Sequence, residues 1–170
     1  MDPPIHYATT ADGIGIAYWT LGEGQVLVVP PTLPSSHIEL EWQVPGRRAA
    51  FEGLAHGARV VRYDCRGMGM SQRDKIDFSV EAAIKDLDAV VDRLEVEKFA
   101  ILRIPSSGSL PFAYAATHPD RVSHLLQLFL RSVEPISAPN AMNDPASAFE
   151  HKRVVPERVS GRMARAKRGR

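Results

Sequence analysis

Short apolar runs and one long helical stripe set out the architecture of this chain. Val26-Leu27-Val28-Val29 is apolar without a break, the pattern of a strand buried on both faces. Residues 5–9 and 14–20 flank the turn Ala11-Asp12-Gly13 and predict a hairpin-like start. Residues 59–63 predict a further strand that runs into Asp64, and residues 99–102 and 124–130 predict two more. Between them lie helical patterns. Residues 45–55 form one, ended by Gly57. In residues 80–94, Val80, Ala83, Ile84, Leu87, Val90, Val91 and Leu94 recur at helical spacing. Ser79 is the natural cap there, Glu81 sits in the first turn, and Asp86, Asp88 and Asp92 are expected to face mostly outward. Residues 110–117 form a third helix, which His118-Pro119 ends because the residue before proline avoids helical geometry. Pro30, Pro31 and Pro34 make residues 30–36 a loop. Strands alternating with helices predict an α/β fold: a mainly parallel sheet of about six strands flanked by helices, with right-handed crossovers.

After residue 131 the pattern stops. Pro135, Pro139 and Pro145 punctuate a stretch without periodicity, and residues 161–170 are nearly free of apolar side chains. The expected organisation is a domain over residues 1–131 and an irregular, basic, disordered tail over 132–170. Charge divides the same way. Residues 1–150 carry a balance of −6 and residues 151–170 one of +7, so the near-neutral total hides a basic tail. Such a tail can touch nucleic acid or anionic lipid weakly, and a solvated extension is the simpler reading. No apolar stretch is long enough to span a bilayer, and Met1-Asp2-Pro3-Pro4 does not open a secretory leader. The single cysteine, Cys65, excludes an internal disulfide and a cysteine-built zinc site. A cytoplasmic location is therefore expected.

The densest motif is Asp64-Cys65-Arg66-Gly67-Met68-Gly69-Met70-Ser71. Gly67 and Gly69 allow positive φ and close backbone approach, and Asp64 and Arg66 can satisfy loop backbone, so the motif has a structural role that needs no catalysis. Together with Asp12-Gly13, Ile16-Ala17-Tyr18, Leu21-Gly22-Glu23-Gly24, Asp77-Phe78-Ser79, Ala113-Tyr114-Ala115-Ala116 and His118-Pro119-Asp120-Arg121-Val122, it resembles the α/β-hydrolase superfamily. In particular it is similar to hydrolase-like domains found beside bacterial adenylate cyclases and transcriptional regulators. The resemblance covers roughly residues 5–130 and implies the N-terminal part of that fold, a truncated α/β-hydrolase domain.

The resemblance also implies where chemistry belongs. The family carries its nucleophile on a strained G-x-S-x-G elbow between the fifth strand and the next helix. The corresponding residues here are Arg103-Ile104-Pro105-Ser106-Ser107-Gly108. Without a gap, Pro105 takes the nucleophile position, and its φ is locked near −65°. Shifted by one, Ser106 takes it, Gly108 fits the second glycine and Ile104 replaces the first. Either serine, 106 or 107, can instead cap the following helix. The oxyanion donors implied are the backbone N–H groups of Thr32 and Ser107, since Pro30 and Pro31 have none. Ser106, Glu134 and His151 follow the family's triad order at much shorter spacing than the family's, and His37, His56, His118 and His124 suit loop and helix-end positions better than a base's. Three readings compete. One is an esterase-like hydrolase of a small acyl substrate, weakened or lost here. Another is a non-catalytic ligand-binding or regulatory module, and the third is a truncated product without independent function. No metal and no cofactor is implied. The partners expected are a small acyl ligand and a second copy paired through the sixth strand.

Overall fold

The computed structural model describes residues 2–74 and 76–128. Among these residues six strands build one sheet: β1 (His6–Thr9), β2 (Gly15–Leu21), β3 (Val26–Val29), β4 (Arg59–Tyr63), β5 (Phe99–Arg103) and β6 (Val122–Gln127). Their order across the sheet is β1-β2-β4-β3-β5-β6. β1 pairs with β2, and β2 with β4, in antiparallel fashion; β4, β3, β5 and β6 pair in parallel. Among the described residues four α-helices accompany them: α1 (Ile38–Gln43), α2 (Pro45–Ala55), α3 (Val80–Arg93) and α4 (Leu110–Thr117).

Period-two alternation sends side chains to two cores. Ile16 and Tyr18 of β2, Val28 of β3 and Val61 and Tyr63 of β4 join Leu87, Val90 and Val91 of α3 and Tyr114 of α4. Ala17 and Trp19 of β2, Val29 of β3 and Val60 of β4 face the other way, onto Ile38 and Trp42 of α1 and Phe51 of α2. Trp19 meets Trp42 and Phe51 edge to face, at centroid distances of 5.7 and 5.1 Å, the arrangement that ring quadrupoles favour. All four residues of β3 are buried, as a central parallel strand requires.

The expected strands and helices lie where the pattern placed them, apart from three particulars. The pattern does not predict α1. That helix is six residues long, capped by the His37 side chain, which accepts from Leu40 N, and held by Ile38 and Trp42 one turn apart in the core. The strand expected over 124–130 begins at Val122, and residues 129–130 of it lie outside the described residues. Asp86 faces the interior instead of solvent and is fully buried. Its position is decided by Arg66, a partner supplied from 20 residues away. Among the described residues β6 pairs only with β5, so it forms one edge of the sheet, and Leu126 on it is exposed. The tail over 132–170, with Glu134 and His151, lies outside the described residues. No described helix is long and apolar enough to cross a membrane.

Candidate functional site

Parallel pairing of β4, β3 and β5 brings their carboxyl ends to one edge of the sheet, where α/β folds place their ligands. Three connections meet there: residues 30–37 after β3, 64–79 after β4 and 104–109 after β5. Leu33 N donates to the Ser106 carbonyl at 3.1 Å and ties the first connection to the third.

The loop after β4 is densely bonded. The Asp64 carboxylate, fully buried, accepts from Ser36 Oγ at 2.6 Å, from Ile38 N at 3.0 Å and from Met70 N at 2.9 Å. It thereby holds the start of α1 against the loop. Gly69 (φ +51°) is obligatory, because a Cβ there would fall 2.0 Å from Asp64 Oδ2. Ser71 Oγ accepts from Ala17 N and donates to the Asp64 carbonyl, and Gln72 Oε1 accepts from Gly15 N. The loop is thus stitched to β2, which supplies two of those amides.

Arg66 extends the network to α3. Its guanidinium donates to Asp86 at 2.8 Å and to Asp12 at 2.8 Å, while its backbone N–H donates to the second Asp86 oxygen at 2.9 Å. Arg66 and Asp86 are both buried. The Arg66 hydrogen bonds hold the Asp12 carboxyl well below the usual carboxylate range, with help from Thr10 Oγ1. Burial pushes Asp86 the other way, upward. The bonds of Asp64 and Arg66 reach further than local loop backbone, to α1, α3 and Asp12.

A second buried pair has no signal in the sequence. Arg62 Nε donates to Glu41 Oε2 at 2.8 Å, and its NH1 donates to the carbonyls of Val29 and Pro30. Its NH2 reaches Thr32 Oγ1 at 3.3 Å. Arg62 therefore positions the connection after β3. Ordinary reading of a strand treats an arginine as its solvent face. Here α1, the helix absent from the pattern, covers that face and supplies the acid.

The connection after β5 is built differently. Residues Pro105–Ser107 form a single 3-10 turn. Ser107 N donates to the Ile104 carbonyl at 2.9 Å, and Ile104 N donates to Ser107 Oγ at 3.4 Å. Among the described non-glycine residues only Glu95 has positive φ, so neither Pro105 nor Ser106 does; the positive φ of this segment lies at Gly108, +64°. Ser106 is exposed and Ser107 buried. Neither serine caps α4: Ser109 takes that position, without a side-chain bond. Among the described residues no histidine bonds to either serine. His37 caps α1, His56 bonds the Glu52 carbonyl and His118 stacks on Tyr114 at 4.4 Å. An oxyanion at Ser107 would have to displace the bond to Ile104. Among the described residues Thr32 N has no backbone partner in the turns of this edge.

A cavity of about 30 Å³ opens among these connections, lined by Pro31, Leu33, Tyr63, Cys65, Ser107 and Leu110, with Phe78 and Ala83 beside them. Burial pushes the Cys65 thiol up to about 12, which disfavours its thiolate form. Among the described residues no cluster of acids, histidines and cysteines could hold a metal ion.

A family model described as alpha/beta hydrolase fold matches residues 25–157. A soluble epoxide hydrolase from Corynebacterium sp. (strain C12) is 28% identical over 123 residues, covering 72% of this chain and 41% of the relative. The structure of a thermophilic esterase from Thermogutta terrifontis superposes with a TM-score of 0.61 at 26% identity, covering 73% of this chain and 44% of the esterase. That of the epoxide hydrolase CorEH superposes with a TM-score of 0.63 at 25% identity, covering 81% and 48%. The chain thus spans less than half the length of each of these relatives.

Proposed function

The chain belongs to the alpha/beta hydrolase fold family, and on that premise we propose that it binds a small acyl compound at the carboxyl ends of β3, β4 and β5 and turns it over slowly or not at all. The observation that carries this reading is the 3-10 turn over Pro105–Ser107 in place of a strained elbow. A nucleophile elbow thrusts its serine from a left-handed backbone position into the pocket. Here that conformation sits at Gly108, and Ser106, the one residue left to attack, projects from an ordinary turn. A serine hydroxyl without a bonded base is a weak nucleophile. The elbow is degenerate in this reading, and the pocket around it is retained.

Support for a retained pocket comes from the bonds that surround it. Arg62 anchors the connection after β3, Asp64 and Arg66 anchor the one after β4, and Leu33 joins the first to the third. Thr32 is the oxyanion donor in this arrangement. The similarity to an epoxide hydrolase and an esterase supports neutral, electrophilic small molecules as the ligand class. The test is hydrolysis of p-nitrophenyl butyrate by the wild type, Ser106→Ala and Ser107→Ala, together with the thermal shift each shows with the ester's stable amide analogue. The expected result is stabilisation by the amide in all three and turnover below about 0.01 per second, two orders beneath the usual enzyme range. Turnover above about 1 per second that Ser106→Ala abolishes would overturn the non-catalytic part of the reading. No stabilisation by any acyl compound would overturn the binding part.

A further inference from the structure

Tyr63 ends β4 with its side chain wholly buried, and its hydroxyl has no hydrogen-bond partner among the described residues. Buried hydroxyls are almost always paired, because an unpaired one forfeits its bonds to water without replacement. Tyr63 lines the cavity described above. The charged groups on that wall are already engaged, and Ser107 is engaged as an acceptor. Asp86 is held by Arg66, Arg66 by Asp12 and Asp86, Asp77 by Ser79 N, and Ser107 Oγ accepts from Ile104 N. Cys65 offers a protonated thiol, a weak donor. The remaining wall is apolar: Pro31, Leu33, Phe78, Ala83 and Leu110. Leu33 and Phe78 are about half exposed, 41% and 54%, and so form an apolar mouth.

From this juxtaposition we propose that the Tyr63 hydroxyl is the donor that binds the acceptor oxygen of a small neutral ligand, with the ligand's apolar body against Leu33 and Phe78. The inference rests on the binding half of the function proposed above and names the group that recognises the ligand. Burial holds the phenol well above its usual range, so it remains a donor at any ordinary pH. Among the described residues no cation is free to face the cavity, since Arg66, the one that lines it, is doubly paired. A neutral carbonyl, ester or epoxide oxygen therefore fits the site, and a carboxylate does not. The cavity, about 30 Å³, has room for the acceptor atom alone. The rest of the ligand stays at the mouth.

The test uses cyclopentanone, a neutral acceptor that cannot undergo acyl transfer, followed by ligand-observed NMR titration of the full chain. Tyr63→Phe keeps the ring and removes the hydroxyl. It should weaken cyclopentanone binding about tenfold, the value of one hydrogen bond, and leave the Tm unchanged or higher. Cyclohexanecarboxylate should bind at neither protein. Ala83→Leu, which fills the cavity beside an intact Tyr63, should also abolish ketone binding. Equal ketone affinity in the wild type and Tyr63→Phe, no ketone binding by the wild type, or binding unaffected by Ala83→Leu would overturn the inference. A fall in Tm for Tyr63→Phe would do so too, because the hydroxyl would then already have a structural partner such as a buried water. Ketone binding that depends on Tyr63, without any response to the butyrate ester or its amide, would overturn the proposed acyl ligand and leave the role of Tyr63 standing.

Discussion

Two connections at the same edge of the sheet have opposite construction. In the loop after β4, Asp64, Arg66, Ser71 and Gln72 bond residues of β2, α1 and α3, and Gly69 passes so close to Asp64 that no side chain fits. In the turn after β5, the hydrogen bonds of Ile104 and Ser107 close on each other, and the space around Gly108 is open: a Cβ there would meet nothing within 4 Å. The first connection holds three elements together. The second is held chiefly by its own turn and the bond from Leu33. Most of the buried hydrogen bonds at this edge therefore run through the first connection.

The largest expected contrast is between two glycines. Gly69→Ala should cost about 4 kcal/mol or prevent soluble folding, because the new methyl overlaps a buried carboxylate that four bonds hold in place. Gly108→Ala pays only for its backbone conformation, about 1–2 kcal/mol. Urea unfolding of both variants measures the difference, and equal losses would end the distinction between the two connections.

Next in size is Arg66→Met. It strands Asp86, a buried carboxylate, and should cost about 3 kcal/mol. Adding Asp86→Leu should recover at least half of that, since the penalty is an uncompensated charge rather than lost packing. A double variant no more stable than the single one would mean that the network acts through shape instead.

The smallest effect is on acid stability. Arg66 lowers the Asp12 carboxyl in the folded chain, so Asp12 contributes stability above the ordinary carboxylate value, near pH 4, and that contribution is lost as the pH falls toward its lower folded value. Asp86, raised by burial, has the opposite sign: its contribution is present at low pH and lost as the pH rises through its folded value. Asp12→Asn should therefore flatten the decline of stability below pH 4. The change should stay under about 1 kcal/mol, since that carboxylate is more than a third exposed. Denaturation at pH 3 and pH 6 compares the two proteins, and an unchanged acid slope would remove Asp12 from the network.

Much of the fold is legible along the chain because it depends on local spacing. The unbroken apolar run at 26–29, the helical stripe from Val80 to Leu94 and the proline after His118 each act within a few residues, and the sheet and helices follow them. The α/β-hydrolase resemblance comes from the same short-range features, above all Asp64 to Ser71. The same resemblance points to Pro105, Ser106 and Ser107 as the segment that corresponds to the family's elbow. Whether that segment bends sharply depends on backbone angles that residue names leave open. Tertiary structure alone decides where charge goes. Asp86 reads as one more solvent-facing acid on α3, yet it is buried because Arg66 meets it there, and Arg62 is buried against Glu41 of α1. Tyr63 ends β4 in the core, and the surroundings that leave its hydroxyl unpartnered among the described residues form only once α3, α4 and three connections close around it. Spacing is a property of neighbours in sequence; the pairing of a buried charge or hydroxyl is a property of neighbours in space, and only the folded chain has those.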